Sequence, residues 1–214
     1  MEYDLYLFDF DYTLANAEAA IVKCYRTVVL RNGHADVPDE LIKRGIGKGI
    51  IDIFRILTGV EDIAVLKQYS DEYIKEADNY MTANTYFYPQ VIPALSKLKQ
   101  RGKKLGIVSN KLSRRIVEAL VKYDIVDLFD IVIGTAEVSE LKPSPAGIYT
   151  AMERLDVAKE GVLYVGDSLI DAETAKNAGT AFAAVTTGVT AAEEFDALPN
   201  VTIMKDLSEL PGLD

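Results

Sequence analysis

The sequence predicts an α/β protein: a parallel sheet with helices on both faces, and a block of helices inserted after the first strand. Three observations carry that expectation. From about residue 90 onward, short runs of β-branched and aromatic residues alternate with segments of helical spacing, the pattern of a parallel sheet. Residues 15–88 carry helical spacing with no strand-like run between. Aspartates, a Ser-Asn pair and a Lys-Pro step recur directly after predicted strands, where open α/β sheets gather their ligands.

The first strand is read in LYLFDF, an apolar run interrupted by Asp9 and Asp11. In the insert, Ile21, Cys24, Tyr25 and Val28 form one helix face and Ile50, Ile53, Phe54 and Leu57 another. Between them, KRGIGKGII (residues 43–51) holds Gly45, Gly47 and Gly49. Glycines disfavour helix and allow tight turns, so a loop between two helices is expected there. The insert closes at YFYPQV, where Pro89 suits the start of the next helix. That helix buries Val91, Ala94, Leu95 and Leu98; the strand KLGIVSN (104–110) and a helix with Ile116, Ala119, Leu120 and Tyr123 follow. DIVIG (130–134), GVLYVGD (161–167) and AFAAV (181–185) read as the remaining strands. The expected division is a core of residues 1–14 and 89–214 and a helical cap of residues 15–88, placed where it can act as a lid.

Composition narrows the classes. With 214 residues, 49% of them hydrophobic, the chain can bury a full core. Its net charge of −10 repels phosphate backbones, so nucleic acid is not an expected partner. The single Cys24 forms no internal disulfide, and Glu2 and Asp4 stand where a signal peptide would be basic. No apolar run approaches the about 20 residues of a membrane helix. A cytoplasmic protein without membrane or nucleic-acid partners, a monomer or homodimer, is expected.

The strand ends carry the chemistry. Asp9 and Asp11 repel one another unless a cation or a shared proton compensates, so the pair implies a metal or a division of acid and base roles. Ser109 offers a hydroxyl, and the backbone N–H groups around Asn110 lie near a helix start, a place for phosphate; helix capping is the plainer alternative. Lys142, made extended by Pro143, is a compact cation suited to a phosphate or to a neighbouring carboxylate. Asp167 follows a strand at a Gly turn, and Asp171, four residues on, falls in the first turn of the next helix. A hard cation such as Mg²⁺ takes oxygen ligands from a few such carboxylates.

The order D-x-D-x-T, S-N, K-P, G-D-x-x-x-D, spread over nearly the whole chain, resembles the haloacid dehalogenase superfamily and, within it, the phosphoglycolate phosphatase-like group. The resemblance implies a Rossmann-like core with a helical cap between the first two motifs. It implies Asp9 as nucleophile and Mg²⁺ ligand, and Asp11 as general acid/base with its backbone carbonyl on the metal. Thr13 matches a supporting hydroxyl at the phosphate site, Ser109 and Asn110 the phosphate-holding pair, and Lys142 the cation between nucleophile and phosphoryl group. Asp167 matches a direct metal ligand and Asp171 an outer carboxylate. One departure is visible: members commonly have glycine where this chain has Tyr12, whose backbone N–H can still face phosphate while its side chain must point elsewhere.

The expected function is that of a Mg²⁺-dependent phosphatase hydrolysing a small phosphorylated metabolite, 2-phosphoglycolate first among them, through an aspartyl-phosphate. Lys48 and Arg44, in the Gly-rich loop of the insert, are expected to attract the far, anionic end of the substrate. The alternatives are a phosphomutase of the β-phosphoglucomutase type, a pyrophosphatase or nucleotidase, and an inactive binding module.

Overall fold

A strand buried on both faces sets the architecture. In the computed structural model, which describes residues 3–210, β1 (Leu5–Phe8) is fully buried. Leu5 and Leu7 enter one apolar cluster with Ile148, Ala151 and Ala175, while Tyr6 and Phe8 enter another with Leu95, Leu98, Ile116 and Leu120. The two-residue period of one strand thus feeds two layers of helices.

The chain divides into two compact units, one of the residues up to Asn16 with those from Phe87 onward, the other Ala17–Tyr86. The short strands β2 (Ala15–Asn16) and β3 (Tyr86–Phe87) mark the passage between them. The second unit is helical: α1 (Glu18–Arg31), α2 (Asp39–Lys43), α3 (Ile50–Thr58) and α4 (Ile63–Tyr80). Its core stacks aromatic rings, with the Tyr25 and Tyr73 centroids 4.3 Å apart and Phe54 5.0 Å from Tyr25. Residues 44–49 are the turn between α2 and α3; Arg44 is exposed and Lys48 half-buried.

The first unit continues through α5 (Val91–Gln100), β4 (Lys104–Val108), α6 (Ser113–Lys122), β5 (Ile131–Ile133), α7 (Ala146–Leu155), β6 (Val162–Gly166), α8 (Leu169–Ala178), β7 (Ala181–Val185) and β8 (Thr202–Met204). Among the described residues six strands pair in parallel in the order β5-β4-β1-β6-β7-β8. The α/β class is therefore as predicted, and this sheet has one strand more than the five read from sequence, β8, in a segment that carries no run of β-branched and aromatic residues. No described helix is long and apolar enough to cross a membrane. Glu2 and the ends of the expected core range, residues 1–2 and 211–214, lie outside the described residues.

Register decides what meets at the carboxyl edge. Phe8 pairs with Ile107 of β4 and with Val165 of β6. The residues just beyond these three, Asp9, Ser109 and Asp167, therefore emerge within one or two positions of a common line. The order changes direction around β1, and such a switch point opens a crevice at the carboxyl ends of the strands.

Candidate active site

Asp9 extends β1 by one residue, its N–H donating to Val165 O at 2.9 Å. Phe10 then turns into the core, edge-on to Phe87 with centroids 5.8 Å apart. Its carbonyl accepts from both Leu14 and Ala15 N–H at 3.0 Å, so the loop carrying Asp9, Asp11 and Thr13 is closed by its own backbone. Tyr12 makes that closure possible by lying at φ 63°, in the left-handed region that glycine enters freely and other residues at a cost of about 1–2 kcal/mol. Its N–H donates to Ala15 O at 2.8 Å. Its carbonyl accepts from the Thr187 hydroxyl in the loop after β7.

Lys142 sits at the centre, in the loop between β5 and α7. Its Nζ lies 2.8 Å from Asp9 Oδ1 and 2.6 Å from Asp171 Oδ1, and donates to the Tyr164 hydroxyl at 3.1 Å. The Asp9 contact is a buried ion pair, and hydrogen bonding from Lys142 and from Ser109 favours the ionised Asp9 carboxylate. Asn110 holds the lysine's backbone from both sides, accepting from Lys142 N–H at 2.8 Å and donating to its carbonyl at 3.2 Å. Neither Ser109 nor Asn110 caps a helix, because α6 starts only at Ser113 behind Leu112. The Asn110 amide is thus engaged with the lysine loop, and Ser109 Oγ accepts from Lys111 N–H at 3.3 Å.

Asp171 is the lysine's rear support. It closes a capping box with Ser168 at the head of α8, Oδ2 accepting from Ser168 N–H at 3.1 Å and from its hydroxyl at 2.6 Å. Oδ1 meets Lys142 and the Tyr164 hydroxyl, the latter at 3.0 Å. Both oxygens of Asp171 are therefore taken. Asp167 accepts from the Thr13 hydroxyl at 3.0 Å through Oδ1; Thr13 supports that carboxylate directly. Its other oxygen lies against Gly188, where a Cβ would overlap Oδ2. Asp11, at the rim, is gripped by Lys111 Nζ at 2.9 and 2.8 Å to its two oxygens.

Burial drives the electrostatics. It pushes the Asp9 carboxyl up to about 6, although Lys142 pulls the other way. Burial, then Asp171 and Asp9, raise Asp167 well above the carboxylate range. Burial alone would lower the Lys142 ammonium, yet Asp171 and Asp9 outweigh it and hold the group above its ordinary value. Three buried carboxylates share this one ammonium, and Asp9, Asp167 and Asp171 each offer an oxygen within 4.8 Å of the others. Surplus negative charge on hard oxygen donors, three carboxylates against one ammonium, fits a divalent cation of the Mg²⁺ kind. Asp9 and Asp167 have oxygens for it; Asp171 stands behind.

Lys111, Tyr164, Thr187 and Gly188 were not singled out from sequence. Lys111 directly follows Ser109-Asn110, and Thr187-Gly188 follow the strand AFAAV, so the strand-end rule that found the aspartates reaches three of the four. Tyr164 lies inside a buried strand and gave no signal beyond a hydroxyl among apolar neighbours.

A doubly flanked parallel sheet with a buried Asp–Lys–Asp array at its carboxyl edge places charged side chains where open α/β sheets hold their ligands. The model of the haloacid dehalogenase-like hydrolases matches residues 6–185, and the chain belongs to that family. It is 32% identical over 211 residues to a phosphoglycolate phosphatase of Rhodobacter capsulatus, covering 97% of this chain and 94% of that one. It is 29% identical over 209 residues to the pyrophosphatase PpaX of Listeria monocytogenes, covering 95% and 93%. A crystal structure from Bacteroides fragilis, described as a haloacid dehalogenase-like hydrolase, superposes with a TM-score of 0.96 at 46% identity, covering 98% and 100%.

Two outcomes follow from the crowding of charge. Asp9 and Asp167, with raised values in the folded state, bind protons more tightly there than in the unfolded chain, so the stability they contribute in acid is lost as pH rises, for Asp9 from about 4 through about 6. A bound cation replaces those protons. The rise in Tm produced by one millimolar-range MgCl₂ concentration is therefore expected to be larger at about pH 7.5 than at about pH 5; equal rises would contradict the site. Gly188→Ala is expected to displace Asp167 and lower kcat/KM on an aryl phosphate by about tenfold or more, the cost of misplacing a site carboxylate. Unchanged steady-state kinetics would remove Gly188 from the site.

Proposed function

We propose that this protein is a Mg²⁺-dependent phosphomonoester hydrolase of small phosphorylated metabolites, working through an aspartyl-phosphate. The observation that carries the reading is the buried Asp9 carboxylate against the Lys142 ammonium, 2.8 Å away at the sheet's carboxyl edge, with Asp11 two residues on. An Asp9 oxygen attacks phosphorus; the new O–P bond forms as the bond to the leaving oxygen breaks, and Asp11 gives its proton to that oxygen. Water then attacks the phosphorus, its proton passes to Asp11, the Asp9 O–P bond breaks, and inorganic phosphate leaves with both aspartates restored. Lys142 offsets the charge that develops on the transferring phosphoryl group. Asp9, Asp167 and the Asp11 carbonyl would hold Mg²⁺, with Asp171 as outer carboxylate, and the ion supplies charge that quiets the meeting of a carboxylate with a phosphate dianion. Ser109 and the backbone around Asn110 complete the phosphate site, and Thr13, donating to Asp167, supports it through that carboxylate.

The relatives named for phosphoglycolate and for pyrophosphate support a small anionic substrate, with 2-phosphoglycolate the first candidate and pyrophosphate the second. The reading includes Lys48 and Arg44 as contacts for the substrate's far end, a cytoplasmic setting, and a monomer or homodimer.

Hydrolysis of an aryl phosphate with Mg²⁺ is expected to stop in excess EDTA and in Asp9→Asn. Asp11→Asn is expected to slow turnover by about 10²–10⁴-fold while Mg²⁺ still raises Tm. Full turnover in EDTA, or equal loss of the Mg²⁺ response in both variants, would defeat the scheme. Lys48→Ala is expected to lower kcat/KM for carboxylated phosphoesters more than for an uncharged aryl phosphate; equal loss, or none, excludes Lys48.

A further inference from the structure

Lys111 is the second cation of the site, and the scheme above gives it no task. It stands directly after β4, on a backbone held in place: Thr135 N–H donates to its carbonyl at 3.1 Å, and its own N–H reaches Ser109 Oγ at 3.3 Å. Gly134 packs so closely on that carbonyl that a Cβ there would overlap it. Its side chain crosses the Phe10 ring, Nζ 5.6 Å from the centroid, and is 9% exposed, against 12% for Asp11. Nζ reaches both Asp11 oxygens, at 2.9 and 2.8 Å.

We propose that Lys111 is a specificity-determining residue that binds an anion carried by the leaving group itself, beside the scissile bond. This rests on the phosphatase reading, in which Asp11 protonates the leaving oxygen. A general acid must approach that oxygen to about 2.6–3.2 Å, so an ammonium in contact with the acid stands within about 6 Å of it. In 2-phosphoglycolate the carboxylate is one carbon away from the leaving oxygen, and in pyrophosphate the leaving oxygen belongs to the anion. Either charge falls inside that radius. An ammonium has three N–H groups and Asp11 takes two, so one donor can serve the leaving group without releasing the acid. Lys142 cannot do this, being turned to Asp9, Asp171 and Tyr164. Lys48 belongs to the helical unit, so Lys111 is the selector built into the catalytic unit itself.

A test must separate recognition from mere positioning of Asp11, since weakening the acid harms every alkyl phosphate. The pair 2-phosphoglycolate and 2-hydroxyethyl phosphate does so: close in size, alike in leaving oxygen, different in charge. Wild-type protein is expected to favour phosphoglycolate. Lys111→Met is expected to lower kcat/KM for phosphoglycolate by about 10- to 100-fold more than for the hydroxyethyl ester, the range spanned by one hydrogen bond to a charged group, with most of the difference in KM. Lys111→Arg is expected to keep most of the preference. An equal fall on both substrates overturns the proposal and leaves Lys111 a positioning residue. Should Lys111→Met not fold, the wild-type protein decides: equal kcat/KM for the two esters overturns the proposal, and a preference that Lys111→Arg preserves supports it. Failure of the underlying reading is distinct, because then the wild-type protein hydrolyses neither ester nor an aryl phosphate.

Discussion

One ammonium group holds this site together. Lys142 lies between Asp9 and Asp171 in surroundings where an unpaired charge would cost several kcal/mol, and each neighbour has its place because of that pairing. Tyr164, inside β6, turns its hydroxyl to the lysine; Asn110 clamps the lysine's peptide; Ser168 occupies the far oxygen of Asp171. The array is costly to bury and still incomplete, since burial leaves Asp9 and Asp167 raised rather than neutralised. A site balanced short of neutrality is suited to receive a cation, and a protein that only kept a fold would gain from replacing these acids with apolar groups.

The same economy of space appears in the loops. Asp171 and Asp167 lie against Gly166 and Gly188, where any side chain would overlap the carboxylates. At Tyr12 the requirement is conformational: φ 63° favours glycine, and this chain bears the strain with a buried tyrosine whose carbonyl is tied to Thr187. The tie joins the loop after β1, which carries Asp9 and Asp11, to the loop after β7. Local strain kept at a functional site and held by surrounding contacts is a recurrent feature of sites that must not relax.

Much of this was legible in the sequence. Runs of β-branched and aromatic residues gave five of the six strands of the sheet, and period-3.6 patterns gave the helix faces, because burial selects those residues and that spacing directly. The acids at the strand ends were visible because an apolar run has no packing use for them. What failed to show had no such signature: β8 lies in no run of β-branched and aromatic residues, Tyr12 N–H is engaged in a local turn, and Lys111 looked like any loop lysine.

The sequence by itself determined the alternation of elements and the residues that stand at strand ends, since both follow from local patterns of burial and turn chemistry. Only the tertiary structure decided who meets whom. Asp11 is 100 residues from Lys111, and Thr13 is 154 from Asp167. The order β5-β4-β1-β6-β7-β8 and the register of β1 against both neighbours bring them together. Strand order is settled by packing of the whole sheet against its two helical layers, and no stretch of sequence records it.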